Sequence, residues 1–204
     1  MHYKFYTCDV FTTVRFGGNP LAVVLDAEGL TAEQMQLIAR EFNYSETTFV
    51  LPPKQGHTNR VRIFNRKHEM PFAGHPNIGT AFTLATIGAL GEFADSAEVT
   101  FEEVAGLVPV RIRKEKDKPI WCELRAPEAL SLGATVEVER MAAILSLTPD
   151  DIVTMTHQPR VASVGVTFVI TELRGRAALE RVQVNTTLLA KLESEGIRPS
   201  LFTY

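Results

Sequence analysis

The stretch Pro76–Leu90 contains no charged residue and consists mainly of Ala, Thr, Ile, Leu and Gly behind a Pro-Asn pair. A run of this kind favours a helix with no polar face, and a helix that is apolar all round has to be buried all round. It is far too short to cross a bilayer, so other protein must surround it. Alternating β-rich segments precede and follow it, which predicts a central helix, ended by Gly88 and Gly91, ringed by strands.

The residues leading into this helix, Glu69 to Thr80, read Glu-Met-Pro-Phe-Ala-Gly-His-Pro-Asn-Ile-Gly-Thr. Gly74 is expected to let the backbone turn or approach a ligand. Pro76 fits the first helical turn, and Asn77 or Thr80 can satisfy free amides there. The reading leaves an open helix tip, where N–H groups and the positive end of the helix dipole favour a carboxylate or phosphate. His75 would stand beside that anion as a proton-transfer group. The same residues also fit a capped turn with His75 as a satisfied polar side chain.

A length of 204 residues allows one large domain or two small ones. The net charge of -3 comes from well-mixed charges without a basic stripe, which argues against nucleic acid and for a small ligand. The first residues lack a secretory pattern and no run is long enough for a membrane span, so the cytoplasm is the expected compartment. Cys8 and Cys122 lack metal-like spacing and are expected to be reduced thiols. The five histidines include no i, i+4 pair, and Gly74–Gly79 lacks the Lys-Ser/Thr of a phosphate-binding loop. Neither a metal site nor phosphate transfer is expected.

Along the chain, Tyr3–Phe11 and Leu21–Leu25 are expected as strands around the turn Phe16-Gly17-Gly18-Asn19-Pro20, where Asn19 can present its amide. Thr31 and Gln34 form a capping box for a helix whose Met35, Ile38, Ala39 and Phe42 share a face. Glu46–Leu51 and Thr58–Asn65 are strands, with Glu46 at the entrance of the first. Two further strands, Val99–Phe101 and Leu107–Ile112, follow the central helix, and Ile120–Leu124 makes another. A charge run and a proline near Lys118 mark the boundary between a first lobe, residues 1–117, and a second, 118–204. The second lobe is expected to hold helices at Glu137–Ser146, Arg176–Val182 and Thr186–Glu195, a helical turn after Thr148, and a long strand Val161–Leu173 interrupted at Gly165 by a bulge or a close ligand approach.

Four stretches taken together resemble a known family. They are Gly18-Asn19-Pro20-Leu21-Ala22-Val23-Val24, the run Met35 to Val50 containing Ser45-Glu46-Thr47, Pro71-Phe72-Ala73-Gly74-His75-Pro76, and the Val161-to-Gly165 strand. The chain resembles the PhzF-like phenazine-biosynthesis family, a branch of the diaminopimelate-epimerase-like fold. That resemblance implies an α+β protein of two similar lobes, each a mixed sheet curled around a central helix, with the active site in the cleft between them.

It also implies a cofactor-independent isomerase or epimerase that moves a proton between carbons of a small carboxylic acid. Glu46 matches the family's proton-shuttling glutamate, and Gly74 and His75 match its substrate-contacting turn. Asn19 matches an early asparagine, and Asn77 is carried with the turn as a further substrate-binding candidate. His75 either orients the substrate or relays the proton. The family's second motif, an acidic Gly-Ser turn opening the second central helix, does not occur before Tyr204. The reading is therefore of a shortened chain with an incomplete second lobe, an uncovered sheet edge and a homodimer to cover it. The alternative is an inactive shortened homologue that serves as a binding or interaction module.

Overall fold

The computed structural model describes residues 2–197 and 200–204. It contains two compact units, Met1–Pro127 and Glu128–Tyr204. The first holds eight strands: β1 Phe5–Val10, β2 Asn19–Val24, β3 Glu46–Leu51, β4 Asn59–Asn65, β5 Glu69–Met70, β6 Ser96–Glu103, β7 Gly106–Arg113 and β8 Trp121–Leu124. Helix α1, Ala32–Phe42, lies between β2 and β3, and α2, Gly74–Thr86, between β5 and β6. Beyond the 117/118 boundary expected from the charge run, β8 pairs antiparallel with β7. The charged loop before it is a hairpin connection within the first unit.

The main path of the sheet runs β1-β2-β3-β4-β6-β7-β8, with β5 paired to β4. The β2–β3 and β4–β6 pairs are parallel and the others antiparallel. Helix α2 touches β1, β2 and β3 at one end of this path and β7 and β8 at the other. A flat sheet could not reach one helix from both ends, so the sheet curls around α2. The buried central helix expected from the uncharged run is present.

Gly79 sets how closely α2 lies against the sheet. A Cβ there would stand 2.6 Å from Leu21 Cδ2 and 2.7 Å from Val10 Cγ2, so only glycine permits this approach. Beside it in the chain, the Thr80 hydroxyl bonds the Thr48 hydroxyl of β3 at 2.8 Å in the fully buried layer between helix and sheet. On the other face of the sheet, α1 buries Met35 and Ala39 against Val24, Phe49 and Phe64. The Phe49 and Phe64 rings meet edge to face. The Thr31–Gln34 capping box is formed in both directions, and Asn43 closes α1 in the left-handed conformation.

Two expectations for α2 are corrected. The helix begins at Gly74 rather than Pro76, so Gly74 is a helical residue instead of a turn glycine. It stops at Thr86 rather than near Leu90, because Gly88 adopts φ 74° and the Ala89 N–H turns back to the Leu84 carbonyl at 3.0 Å.

The second unit holds a four-stranded sheet in the order β12-β11-β10-β9, from strands β9 Ser131–Thr135, β10 Arg160–Ser163, β11 Thr167–Thr171 and β12 Leu201–Thr203. The expected long strand Val161–Leu173 is a hairpin: β10 and β11 pair antiparallel, and Gly165 at φ 126° lies in their turn instead of making a bulge. Helices α3 Val138–Leu145, α4 Arg176–Leu179 and α5 Thr186–Ser194 complete the unit, with a 3-10 turn at Pro149–Asp151. Its core gathers Met141, Ile144 and Leu145 of α3 with Val169 and Leu192. Among the described residues, no helix is long and apolar enough to cross a membrane.

Candidate active site

Glu46 opens β3, whose alternation places Glu46, Thr48 and Val50 on the face that looks at α2. Thr48 is fixed to Thr80. Stepping back two strand residues from Thr48 covers about 6.6 Å, and stepping back five helical residues from Thr80 covers about 7.5 Å. Glu46 and His75 are thereby brought to the same level, and His75 Nδ1 lies 3.3 Å from Glu46 Oε2.

Both side chains are largely withdrawn from solvent, His75 at 9% and Glu46 at 18% side-chain exposure. Burial raises the Glu46 carboxyl above the usual carboxylate range, although Arg66 pulls it partly back. Burial lowers His75 from 6.5 to about 4 against the opposing pull of the Pro20 carbonyl. Near neutral pH the imidazole is therefore uncharged, and the contact is one between a dry carboxyl and a neutral ring rather than an ion pair. With Glu46 protonated, its O–H faces Nδ1 and the ring proton sits on Nε2. With Glu46 ionised, an Nδ1–H faces the carboxylate. Nε2 is buried and has no hydrogen-bond partner in the chain.

Asn19 begins β2, which runs parallel to β3 with Leu21 opposite Glu46. Its Oδ1 accepts from the Ser45 hydroxyl at 3.0 Å, so it steadies the residue immediately before Glu46. Three chain starts thus converge: β2 with Asn19 and Pro20, β3 with Glu46, and α2 with Gly74 and His75.

The α2 tip carries no side-chain cap, and no acidic residue lies in its first turn. Asn77 does not satisfy those amides as expected. It is the fourth helical residue, and its Nδ2 reaches back to donate to the Ala73 carbonyl at 3.0 Å. Thr80 is committed to Thr48. At Gly74 an added Cβ would meet nothing within 4 Å, so there is open space against the helix tip. Asn19, Glu46, Gly74 and His75 are therefore neighbours, and Asn77 lies beneath them.

A cavity of about 1250 Å³ lies elsewhere in the first unit, along β1, the Phe11–Arg15 loop and the Lys118–Cys122 segment, without touching Glu46 or His75. Its walls are the two unpaired ends of the curled sheet, and they carry both free cysteines. Among the described residues, no group of three or more His, Cys, Asp or Glu side chains is arranged to hold a metal.

The sequence reading missed Glu103, whose two carboxyl oxygens are buried at the end of β6 beside Asn77. The signal was available, because Glu103 falls on the same strand face as Val99 and Phe101, both buried.

The family model for phenazine biosynthesis-like proteins, PhzC-PhzF, matches residues 8–202. The chain belongs to this family. A protein of Mesorhizobium japonicum named as an uncharacterized isomerase is 41% identical over 204 residues, covering 96% of this chain and 65% of that protein. The trans-2,3-dihydro-3-hydroxyanthranilate isomerase of Pseudomonas aeruginosa is 40% identical over 127 residues, covering 62% of this chain and 43% of that enzyme. The crystal structure of a PhzF-family phenazine biosynthesis protein from Bacillus anthracis superposes with a TM-score of 0.85 at 29% identity, over 100% of this chain and 67% of that one. This PhzF-family chain thus spans less than two thirds of the length of both curated relatives. The α+β fold with a mixed sheet curled around a helix is shared with the family's solved structures.

Proposed function

We propose that this PhzF-family chain provides the proton-transfer wall of an isomerase or epimerase acting on a small carboxylic acid, with Glu46 as the group that moves the proton. The observation that carries the reading is the 3.3 Å contact between the dry Glu46 carboxyl and neutral His75 at the uncapped end of a buried helix. Moving hydrogen from one carbon to another needs a group that can both take and return a proton near the working pH, and a raised carboxyl meets that need. The Glu46 carboxylate removes a proton from a substrate carbon, and the electron pair passes into the adjoining unsaturated or carboxylate system. The resulting acid returns the proton to another carbon, so atoms and charge balance without an oxidant or reductant. His75, with Nδ1 3.3 Å from Glu46 Oε2, orients that carboxyl as it takes up and returns the proton.

Charge that builds on a substrate carboxylate is stabilised by the α2 amides, which are most effective where water is excluded. The space beside Gly74 admits that group, and Asn19 holds the rim through Ser45. The chemistry attributed to Glu46 and His75 needs no metal or organic cofactor. Residence in the cytoplasm and a homodimer belong to the same reading. Two free thiols support the first. The exposed Phe5 and Tyr6 on the unpaired edge strand β1 support the second.

The test incubates the chain in deuterated water with trans-2,3-dihydro-3-hydroxyanthranilate, the acid isomerised by the Pseudomonas relative. Deuterium is expected to enter carbon positions of the recovered acid or its isomer, and Glu46→Gln is expected to abolish this. Exchange that persists in Glu46→Gln removes Glu46 from the role. A chain that binds the acid but exchanges nothing is a binding module instead.

A further inference from the structure

Strand β4 runs against β3 and ends with Asn65 directly opposite Glu46. The turn that follows, Arg66-Lys67-His68, therefore leaves the sheet at the end where Glu46 enters it. Neighbouring strands lie about 4.8 Å apart and one further residue adds about 3.3 Å, so the Arg66 backbone stands within about 8 Å of the Glu46 backbone.

The turn is firmly built. Asn65 Oδ1 accepts the Lys67 and His68 N–H groups at 2.7 and 2.8 Å, and the Asn65 N–H donates to the His68 carbonyl at 3.1 Å. Gln36 Nε2 of α1 ties it to the body of the unit by donating to the Asn65 carbonyl at 2.8 Å. Arg66 Nη1 donates to Asn43 Oδ1 at 3.5 Å, which lays the guanidinium against the short segment leading into Glu46.

The acid of this hairpin is already taken. Glu69 of β5 accepts from Arg62 Nε and Nη2 at 2.7 and 2.6 Å. Arg66 and Lys67 are exposed, and among the described residues neither has a carboxylate within ion-pair distance. Two unpaired cations thus stand on a fixed turn beside the site, where Asn19, Ser45 and Gly74 carry no charge.

We propose that Arg66 and Lys67 form an anion collar at the mouth of the Glu46–His75 site, drawing in substrates that carry a carboxylate in preference to their neutral amides. The substrate in this statement rests on the proposed isomerase reading; the influence of Arg66 on Glu46 does not.

Unit charges about 8 Å apart in water enrich one another about twofold, so the pair supplies about fourfold. Salt removes this, because the screening length shrinks from about 30 Å at 0.01 M to about 3 Å at 1 M. Arg66 also acts inward: it pulls the buried Glu46 carboxyl back toward its ordinary range. The other ionisable group facing Glu46 is His75 of α2, while β2 brings Asn19, Pro20 and Leu21 and β4 brings Asn65, none of which ionises.

The experiment takes the whole chain and measures binding of anthranilate and of anthranilamide by calorimetry at about 0.01 M and about 1 M salt. The wild type is expected to prefer the anion at low salt. In Arg66→Gln/Lys67→Gln that preference falls by about threefold to fivefold, and at high salt the two proteins agree. In the deuterium-exchange assay the double variant raises KM by a similar factor, with kcat within about twofold of wild type on the alkaline side of the Glu46 titration. The carbon resonance of labelled Glu46 gives a readout without substrate: its midpoint moves to higher pH in Arg66→Gln and stays in place in Arg66→Lys, which keeps the charge.

A wild type without preference for the anion, a double variant that keeps the preference at low salt, or an unmoved Glu46 midpoint in Arg66→Gln overturns the proposal. If the wild type exchanges no proton, the isomerase reading fails while the binding ratio and the Glu46 titration still judge the collar.

Discussion

Gly79 and Gly74 lie in the same helix and predict opposite outcomes for the same substitution. In Gly79→Ala the new methyl would lie 2.6 Å from Leu21 Cδ2, 2.7 Å from Val10 Cγ2 and 3.2 Å from Cys8 Sγ. Carbon atoms in ordinary contact stand about 3.5–4.0 Å apart, so the first two approaches are short by roughly 1 Å. Leu21 is fully buried and Val10 is 4% exposed, so neither methyl can swing into solvent to make room.

Overpacking of this kind costs about 1–3 kcal/mol, with two locked neighbours placing it in the upper part of that range. Alanine returns about 1 kcal/mol through helix propensity. The net loss is then about 1–2 kcal/mol, which at a urea slope of roughly 2 kcal/mol/M lowers the midpoint by about 0.5–1 M. The single tryptophan, Trp121, lies on β8 in the same unit, so its fluorescence follows this transition. A Gly79→Ala midpoint equal to or above wild type would refute close helix–sheet contact as the reason for the glycine. Gly74→Ala meets nothing within 4 Å and, as a helical residue, gains the same propensity without the clash, so it is expected to leave the midpoint at or above wild type while lowering proton exchange. Full exchange in that variant would remove Gly74 from the substrate side of the site.

His75 is expected to titrate near about 4 instead of 6.5 when followed by its ring resonances, and a midpoint at or above 6.5 would refute a dry, neutral imidazole. Because the folded value is the lower one, protonation favours the unfolded chain. Stability is full above pH 6.5 and is eroded as pH falls toward 4, and His75→Gln removes that part of the slope in urea titrations. Glu102 accepts backbone N–H groups from Lys54, Gln55 and His57 at 2.6, 2.7 and 3.3 Å. Burial alone would raise its carboxyl, but these bonds outweigh burial and hold it below 4.5. Its stabilisation is therefore present above 4.5 and lost as pH falls through the folded value. Glu102→Gln is expected to lower the urea midpoint at pH 7 and to narrow its gap to wild type in acid, and an unchanged midpoint at pH 7 would refute the clamp.

Elements whose signal is local or uniform along the run were readable in the sequence. The α1 boundaries follow from Thr31 and Gln34, whose chemistry is local, and the burial of α2 follows from its lack of any charge. Strand β9 was not foreseen because all five of its residues are exposed and no alternation marks it. The β10–β11 hairpin was read as one strand because the apolar run continues through Gly165, and only the pairing shows a turn there. For α2, apolar composition outlasts the helix, whose end is set by the conformation of Gly88. In the candidate site, Glu46 and His75 could be named from their motifs, whereas their contact depends on how β3 and α2 are aligned. Asn77 was assigned to the right turn with the wrong partner, since a fourth helical residue directs its side chain back along the helix.

The in-register parallel pairing of β2 with β3 sets Leu21 opposite Glu46. A slip of one residue would present Thr47 to His75 and carry the carboxyl through to the face covered by α1. A misaligned sheet would therefore announce itself as a loss of proton chemistry, with His75 returning toward an ordinary titration. The ring of one histidine is in effect a gauge of whether this curled sheet has been threaded correctly.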